Sequence, residues 1–265
     1  MQQSYKEFIK GSERITMRTI ISAAKKNVPC SYASEPWSYP SLHRGKAVLD
    51  DEDSLNCYMS AYGQMHTVKM QRVLGRLPAV AVRDDFEIVD WGCGQGLATI
   101  CLLDMLEKAL PFTCPEHVTL VDASSAALSR ALMNVSLKLK GRVAVRAVET
   151  RLSPDELRGV ETWHGAPVVV HLLSNILDVP GVSNKAMADA ISSSGVVNYI
   201  VYAGHSKTEK HFKGFCENFR RCDMRVLFHQ NKYVGDCLPN GYSYGWDLGV
   251  IRLITEPEAN VSHVA

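Results

Sequence analysis

The chain has 265 residues, of which 46% are hydrophobic and 22% are charged. This composition is ordinary for a folded globular protein and excludes a disordered or collagen-like chain. Lys and Arg together number 29 against 28 for Asp and Glu, whereas proteins that bind nucleic acid without sequence preference usually carry a strong basic excess.

The eight cysteines form no C-x-x-C pair, and the first residues, Met-Gln-Gln-Ser-Tyr-Lys, contain no apolar signal region. Free thiols in a reducing compartment are therefore expected, and we predict a cytoplasmic protein. The longest stretch without charge, residues 190–206, is too short and polar to span a bilayer, so no membrane association is expected. The nine histidines form no H-x-x-x-H pair, and no metal site is predicted.

Residues 1–80 contain no convincing strand pattern. Apolar residues recur at helical spacing from Met17 to Ala24 and again from Leu55 to Leu77. Between them, residues 28–53 hold three prolines and an Asp-Asp-Glu-Asp run, which is typical of an irregular connection. We therefore predict a helical N-terminal extension, or lid, over residues 1–80 and a second domain over residues 81–265.

From residue 86, short apolar runs alternate with amphipathic segments. The strand candidates are Glu87–Trp91, His117–Asp122, Arg142–Val148, Pro167–Leu173, Val196–Ala203, Met224–Gln230 and Val250–Thr255. The helix candidates are Leu97–Leu110, Ser125–Lys140, Asn184–Ser193 and Thr208–Cys222. This alternation predicts an α/β fold: a doubly wound, mostly parallel seven-stranded sheet with helices on both faces. The last two strands have no helix between them, so we expect an antiparallel hairpin.

The run Asp90-Trp-Gly-Cys-Gly-Gln-Gly96 joins the first strand to the first helix of this region. Glycines allow a sharp turn and let a ligand approach the backbone, and a helix N-terminus offers unpaired N–H groups. A dinucleotide fingerprint starting at Gly92 would require glycine where the chain has Leu97. A nicotinamide oxidoreductase is therefore disfavoured. The pattern could also serve only as a tight strand–helix connection.

The D-x-G-x-G-x-G run instead resembles the signature of class I, Rossmann-like, S-adenosylmethionine-dependent methyltransferases. The resemblance implies that the amino-acid end of this cofactor contacts Asp90 and the glycine turn: Gly92, Cys93, Gly94, Gln95 and Gly96. It also implies a ribose contact from Asp122, next to Ala123, at the end of the second strand. The other reading of Asp122 is a cap for the following helix.

Polar residues follow the third and fourth strands. By the same resemblance, Glu149 and Thr150 would lie near the adenine, and Leu173, Ser174 and Asn175 near the methyl group. Asp178 is either a base or a turn residue. The Asn/Asp-Pro-Pro-aromatic run of many amino-methyltransferases is absent here, as is a Pro-Cys nucleophile.

Acceptor specificity must come from side chains above this sheet edge. We predict that Tyr58, Tyr62 and His66, spaced four residues apart on one helix, contact the acceptor, although they could equally pack that helix on the domain. His205 and Tyr242 are weaker candidates, since one could be a loop residue and the other part of the hairpin. No catalytic residue is assigned, because the sulfonium is already activated and methyl transfer mainly requires alignment.

The sequence thus predicts a methyltransferase enzyme that uses S-adenosylmethionine. The acceptor is undetermined, either a small molecule or RNA. The RNA option depends on an excess of basic residues in segments 1–50 and 205–232, which could also simply solvate helix faces. The alternative is a non-catalytic, methyltransferase-like binding or scaffold subunit, for which a protein partner would be expected.

Overall fold

The computed structural model describes residues 3–45, 48–158, 160–162, 164–193, 196–219, 222–237 and 243–255. Side chains are described for these residues except 44, 45, 233–237, 243 and 244. Among the described helices, none combines the length and the apolar character that crossing a bilayer requires.

Three helices precede the sheet. They are α1 (Tyr5–Lys10), α2 (Met17–Lys26) and α3 (Glu52–Leu74), and short 3₁₀ turns connect α2 to α3. Each helix begins at a residue whose side chain accepts a hydrogen bond from the first turn: Ser4, Thr16 and Asp51. Such caps satisfy backbone N–H groups that a helix leaves unpaired. Gly63 lies inside α3, where the absence of a Cβ leaves room for the Met59 side chain. A Cβ at this position would meet the Met59 sulfur at 2.6 Å.

The rest of the chain builds one seven-stranded sheet with the order β3-β2-β1-β4-β5-β7-β6. The strands are β1 (Phe86–Trp91), β2 (His117–Asp122), β3 (Ala144–Glu149), β4 (Val168–Ser174), β5 (Val197–Gly204), β6 (Asp223–Cys237) and β7 (Ser243–Ile254). β1 to β5 pair in parallel, and β7 runs antiparallel between β5 and β6. The predicted doubly wound sheet with an antiparallel last strand is confirmed.

In the described part of the chain, five helices connect these strands. They are α4 (Leu97–Ala109), α5 (Ser125–Leu139), α6 (Pro154–Leu157), α7 (Asn184–Ser192) and α8 (Glu209–Glu217). One buried apolar cluster joins α1, α2 and α3 to α4, α5 and one face of the sheet. A second cluster lies between the other face and α7 and α8. The N-terminal helices therefore share their core with the sheet.

Three strands depart from the sequence-based expectation. β6 ends seven residues later than predicted, at Cys237. β7 begins seven residues earlier than predicted. The prediction missed this start because Gly245 and Gly249 lower the strand propensity of the segment that contains them. Both glycines are required by packing: a Cβ at Gly249 would meet the Phe212 ring at 2.4 Å, and one at Gly245 would meet the Ser206 hydroxyl at 2.1 Å. β3 lies at an edge of the sheet, so its side chains are mostly exposed and it is not covered on both faces.

Candidate functional site

A cavity of about 550 Å³ lies at the carboxyl edge of the parallel strands. Its walls come from the turns after β1, β2, β3 and β4 and from residues next to the start of α3. The lining residues are Val48, Leu49, Tyr58, Gly92, Gly94, Gln95, Asp122, Ala123, Ser124, Ala127, Thr150, Arg151, Leu152, Ser153, Glu156, Ser174, Asn175, Ile176, Val179, Pro180, Gly181 and Val182. The carboxyl edge between β1 and β4, where the order of the strands reverses, is where open α/β sheets bind ligands.

The glycine turn after β1 has three residues with positive φ: Gly92 at 63°, Gly94 at 52° and Gly96 at 81°. A Cβ at Gly92 would meet Ile176 at 2.5 Å, whereas a Cβ at Gly94 would meet no atom within 4 Å. Gly94 therefore leaves its backbone open to the cavity. Gly96 is the N-cap of α4 and lies against α5, and neither it nor Cys93 lines the cavity.

Asp90 lies fully buried under this turn and does not line the cavity. Its Oδ2 accepts hydrogen bonds from the Thr99 backbone N–H at 3.2 Å and from the Thr99 hydroxyl at 2.7 Å. Asp90 thus caps α4 from a distance, since the glycine at the N-cap has no side chain to do so. Its Oδ1 has no hydrogen-bond partner among the described residues. A contact between Asp90 and a bound ligand stays a prediction.

Asp122 lines the cavity at the end of β2. Its Oδ2 accepts from the Gly94 N–H at 2.8 Å and its Oδ1 from the Ser124 N–H at 2.9 Å. The cap of α5 is Ser124, whose hydroxyl accepts from the Ala127 N–H, so Asp122 is not the cap of this helix. A carboxylate offers about four acceptor positions, so Asp122 keeps acceptor capacity for a ligand hydroxyl beside these backbone bonds.

The Ser124 hydroxyl also donates to the carbonyl of Leu49. This bond holds the segment before α3 against the cavity wall. No sequence pattern indicated this contact, because the two residues are 75 positions apart along the chain and Leu49 lies in an irregular segment.

Of the two residues predicted after β3, Thr150 lines the cavity, whereas the exposed Glu149 does not. The wall continues through residues 151–153 and Glu156, which the sequence analysis missed. Their position just after a strand end was an available signal, but polar residues follow most strands and give little discrimination. The Glu156 carboxylate accepts from the Arg151 N–H at 2.9 Å and so shapes this turn.

Ser174 and Asn175 line the cavity at the end of β4, while Leu173 is buried behind them. Asn175 has a φ of 55°, a left-handed conformation that asparagine tolerates better than most side chains. Its backbone N–H donates to the Ala203 carbonyl at 2.7 Å, and its side-chain amide lies 3.2 Å from the Ser174 hydroxyl. These contacts hold Asn175 at the carboxyl end of β4.

Helix α3 places the buried His66 imidazole beside Asn175. Tyr58 lines the cavity; its hydroxyl lies 3.4 Å from His66 Nδ1, and its ring meets Tyr62 edge-on. Neither Tyr62 nor His66 lines the cavity, although His66 Nδ1 is 3.5 Å from the Asn175 amide nitrogen. Burial, together with the nearby Lys69, lowers the pKa of His66 to about 3, so this imidazole is neutral at physiological pH.

Lys69, which no sequence pattern singled out, is only 1% exposed on the inward face of α3. Its Nζ lies 3.5 Å from Asn175 Oδ1, and burial lowers its pKa to about 8. A lysine in an amphipathic helix is normally solvated, so only the packing of α3 against the sheet reveals this position.

The remaining acceptor candidates lie elsewhere. His205 is the N-cap of a 3₁₀ turn after β5, where its Nδ1 accepts from the Lys207 N–H, and it does not line the cavity. Tyr242 falls outside the described residues. In the basic segment 205–232, Lys213 forms an ion pair with Glu209 and Arg225 one with Asp223.

At the opposite, amino edge of the sheet, Glu87, Glu116 and His117 are the group of described residues close enough together to hold a metal ion. The buried Glu87 carboxylate already accepts hydrogen bonds from the His164 and Ala166 backbone N–H groups. These bonds account for its burial without a metal.

The residues of the cavity fit the cofactor that the sequence predicts. Its volume lies within the range of small-molecule sites, an open glycine backbone faces it, and a carboxylate with free acceptor positions projects from β2. None of these features requires a phosphate, and no Gly-Lys-Ser/Thr loop is present. S-adenosylmethionine carries an amino acid, a ribose and an adenine but no phosphate, which agrees with this set of groups.

No protein-family model and no curated protein sequence matches this chain. Its fold is similar to that of a Listeria monocytogenes protein described as a class I S-adenosylmethionine-dependent methyltransferase. The TM-score is 0.51 at 11% identity, over 97% of this chain and 82% of that chain. A second similar structure is an S-adenosylmethionine-dependent methyltransferase from Leishmania major, with a TM-score of 0.48 at 12% identity over 81% of this chain and 82% of that chain. A third is magnesium protoporphyrin IX methyltransferase from Synechocystis with bound S-adenosylhomocysteine. Its TM-score is 0.45 at 13% identity, over 73% of this chain and 84% of that chain.

At such low identity the likeness bears on the fold alone, and there it agrees with the sheet order and with the antiparallel β7. The chain has the fold of the class I S-adenosylmethionine-dependent methyltransferases.

Proposed function

We propose that this protein binds S-adenosylmethionine in the cavity and transfers its methyl group to an acceptor that is a small molecule or an RNA. The observation that carries the proposal is the meeting of the open Gly94 backbone and the Asp122 carboxylate at the carboxyl edge of β1 and β2. The fold agrees with this activity, and the cavity has room for the cofactor.

In this proposal Asp122 accepts the two ribose hydroxyls, and the Gly92–Gly94 backbone lies against the amino-acid end. The turn that begins with Thr150 borders the adenine. The bound cofactor supplies a methyl group that its sulfonium has already activated. The protein's task is to align the acceptor beside Ser174 and Asn175 and to exclude water there.

The donor site is tested by calorimetric titration with S-adenosylmethionine and S-adenosylhomocysteine, with NADH as a negative control. Asp122→Asn should weaken both sulfur ligands by roughly tenfold to a hundredfold, the cost of losing a charge-assisted hydrogen-bond pair. Asp189→Asn is the matched control, because Asp189 is an exposed residue that forms an i,i+4 pair with Lys185 on α7. Equal affinity in wild type and a folded Asp122→Asn variant would contradict the ribose contact.

Two glycine variants separate an effect on binding from backbone strain. Gly94 and Gly141 both have positive φ, 52° and 70°, and at both a Cβ would meet nothing within 4 Å. Alanine should therefore cost each site a similar strain of about 1 kcal/mol. Only the Gly94→Ala methyl group projects at the cavity, so it should lower cofactor affinity while Gly141→Ala does not. If both variants bind the cofactor with the wild-type affinity, the cofactor lies elsewhere.

The second candidate function is a binding or scaffold subunit without turnover. It is favoured by the absence of the Asn/Asp-Pro-Pro-aromatic run after β4, where the chain has Ser174-Asn175-Ile176-Leu177. Transfer of a radioactive methyl group from S-adenosylmethionine to small-molecule and RNA fractions distinguishes the two. A protein that binds the cofactor but labels no fraction would support the scaffold.

A further inference from the structure

A buried cation lies behind Asn175, the residue that follows β4. Lys69 is 1% exposed, and the hydrogen bond that its Nζ makes with a described residue is the long one to Asn175 Oδ1. No described carboxylate forms an ion pair with it. A buried ammonium without an ion pair is costly, so such lysines are rare unless something compensates for the charge.

The surroundings of Lys69 do little to neutralise it. Asp178, in the turn after β4, acts on it electrostatically, and His66 on the same helix is neutral. The elements packed against α3 are α2, α4, β5, β7 and the 3₁₀ turns Pro36–Ser38 and Pro40–Gly45. In the turns, the titratable side chain that the structure describes is the exposed His43. The charged side chains of the helices and strands are paired elsewhere or accessible to solvent: Arg18, Lys25, Lys26, Asp104, Glu107, Lys108, Asp247 and Arg252. The positive charge on Lys69 is therefore largely uncompensated.

Asn175 connects this charge to the cavity. Its side chain contacts Lys69 and His66, and the residue itself lines the cavity beside Ser174. One residue thus separates the Lys69 ammonium from the occupant of this end of the cavity. Because the region is buried, a charge is felt there more strongly than it would be in water.

We propose that Lys69 is a selectivity residue that, through Asn175, makes this end of the cavity discriminate between a positively charged and a neutral sulfur ligand. This inference rests on the proposed function. S-adenosylmethionine carries a sulfonium and S-adenosylhomocysteine a neutral thioether, so protonated Lys69 disfavours the methyl donor relative to the product. Neutral Lys69 removes this penalty.

The test is the ratio of the two dissociation constants, donor over product, measured by calorimetry from pH 6.5 to 9.5 in wild type and in Lys69→Met. Comparing the two proteins at each pH cancels the titration of the ligands' own amino groups. At pH 6.5 the wild-type ratio should exceed that of Lys69→Met on the order of tenfold, the size expected for two like charges in a low dielectric. The two ratios should converge above pH 8, because burial holds the Lys69 pKa at about 8.

A second variant gives an independent direction. Asp178→Asn removes the carboxylate that favours protonated Lys69, so the Lys69 pKa should fall. The ratio of dissociation constants in this variant should therefore reach the Lys69→Met value at a lower pH than in wild type. Methionine is close in shape to the lysine stem and should fold, and Lys69→Gln serves if it does not. Ratios that agree between wild type and the folded Lys69 variant at every pH would overturn the inference. Absence of binding by either ligand to the folded wild-type protein would instead overturn the proposed function.

Discussion

Asp90 links the glycine turn to α4 and carries a stability cost that depends on pH. Burial raises its pKa from 3.8 to about 7, although two hydrogen bonds from Thr99 favour the charged form. In the unfolded chain the carboxyl group ionises near its ordinary value. Between these two values the folded state binds more protons than the unfolded state, so Asp90 makes stability fall as pH rises.

We expect Asp90→Asn, which keeps the acceptor oxygen but cannot ionise, to remove this dependence. From pH 5 to pH 8, the wild type should lose on the order of 2–3 kcal/mol of unfolding free energy relative to the variant. Urea unfolding of both proteins at several pH values measures the difference, and the comparison cancels all other titrating groups. A stability difference that stays constant over this range would show that Asp90 is already ionised in the folded protein at pH 5.

At the scale of elements, Arg130 on α5 fastens the N-terminal helices to the glycine turn. Its Nη1 donates to Asn56 Oδ1 on α3 at 2.9 Å and to Gln95 Oε1 in the turn at 3.0 Å, and its Nη2 pairs with Glu52. The guanidinium also lies 3.9 Å from the centre of the Tyr5 ring on α1. Gln95 completes the connection by donating to the Leu55 carbonyl at 2.9 Å.

Arg130→Met should destabilise the fold by about 2–4 kcal/mol, because it leaves the buried Asn56 and Gln95 amide oxygens without a donor. It should also weaken cofactor binding, since Gln95 lines the cavity. Arg14→Met is the control: Arg14 pairs with Glu107 at the surface, where such a pair contributes at most about 1 kcal/mol. Similar urea midpoints for the two variants would show that the buried network contributes no more than a surface pair.

At the scale of the whole molecule, the N-terminal helices and the sheet are parts of one packing unit. Tyr5, Ile9 and Ile20 are at most 3% exposed and belong to the same apolar cluster as residues of α4 and β1. Each such side chain contributes about 1.5–3 kcal/mol when it is fully buried. Their removal would uncover apolar surface on α3 and α4.

We therefore expect a chain that lacks residues 1–50 to aggregate or to unfold at low denaturant concentration. Size-exclusion chromatography and thermal unfolding, compared with the full chain, measure this. A truncated protein that stays monomeric and melts cooperatively at the same temperature would support residues 1–80 as a separate extension, as the sequence pattern predicts.

The order of strands and helices could be predicted from the sequence because it follows from local patterns. β2 begins and ends at the predicted residues, and α4 and α5 each end one residue earlier than predicted. The start of β7 could not be predicted, because its glycines are required by contacts with Phe212 and Ser206 that exist only in the folded protein. The exposure of β3 depends likewise on its place at the edge of the sheet.

The same division holds for the candidate site. The glycine turn, Asp122 and the residues after β4 could be found in the sequence, because they lie next to strand ends and the carboxyl ends of parallel strands share one edge. Three contacts emerge only from the folded chain: Asp90 caps α4, Leu49 bonds to the cavity wall, and Lys69 is buried against Asn175. These contacts join residues 9, 75 and 106 positions apart, and local sequence patterns carry no information about which residues meet over such separations.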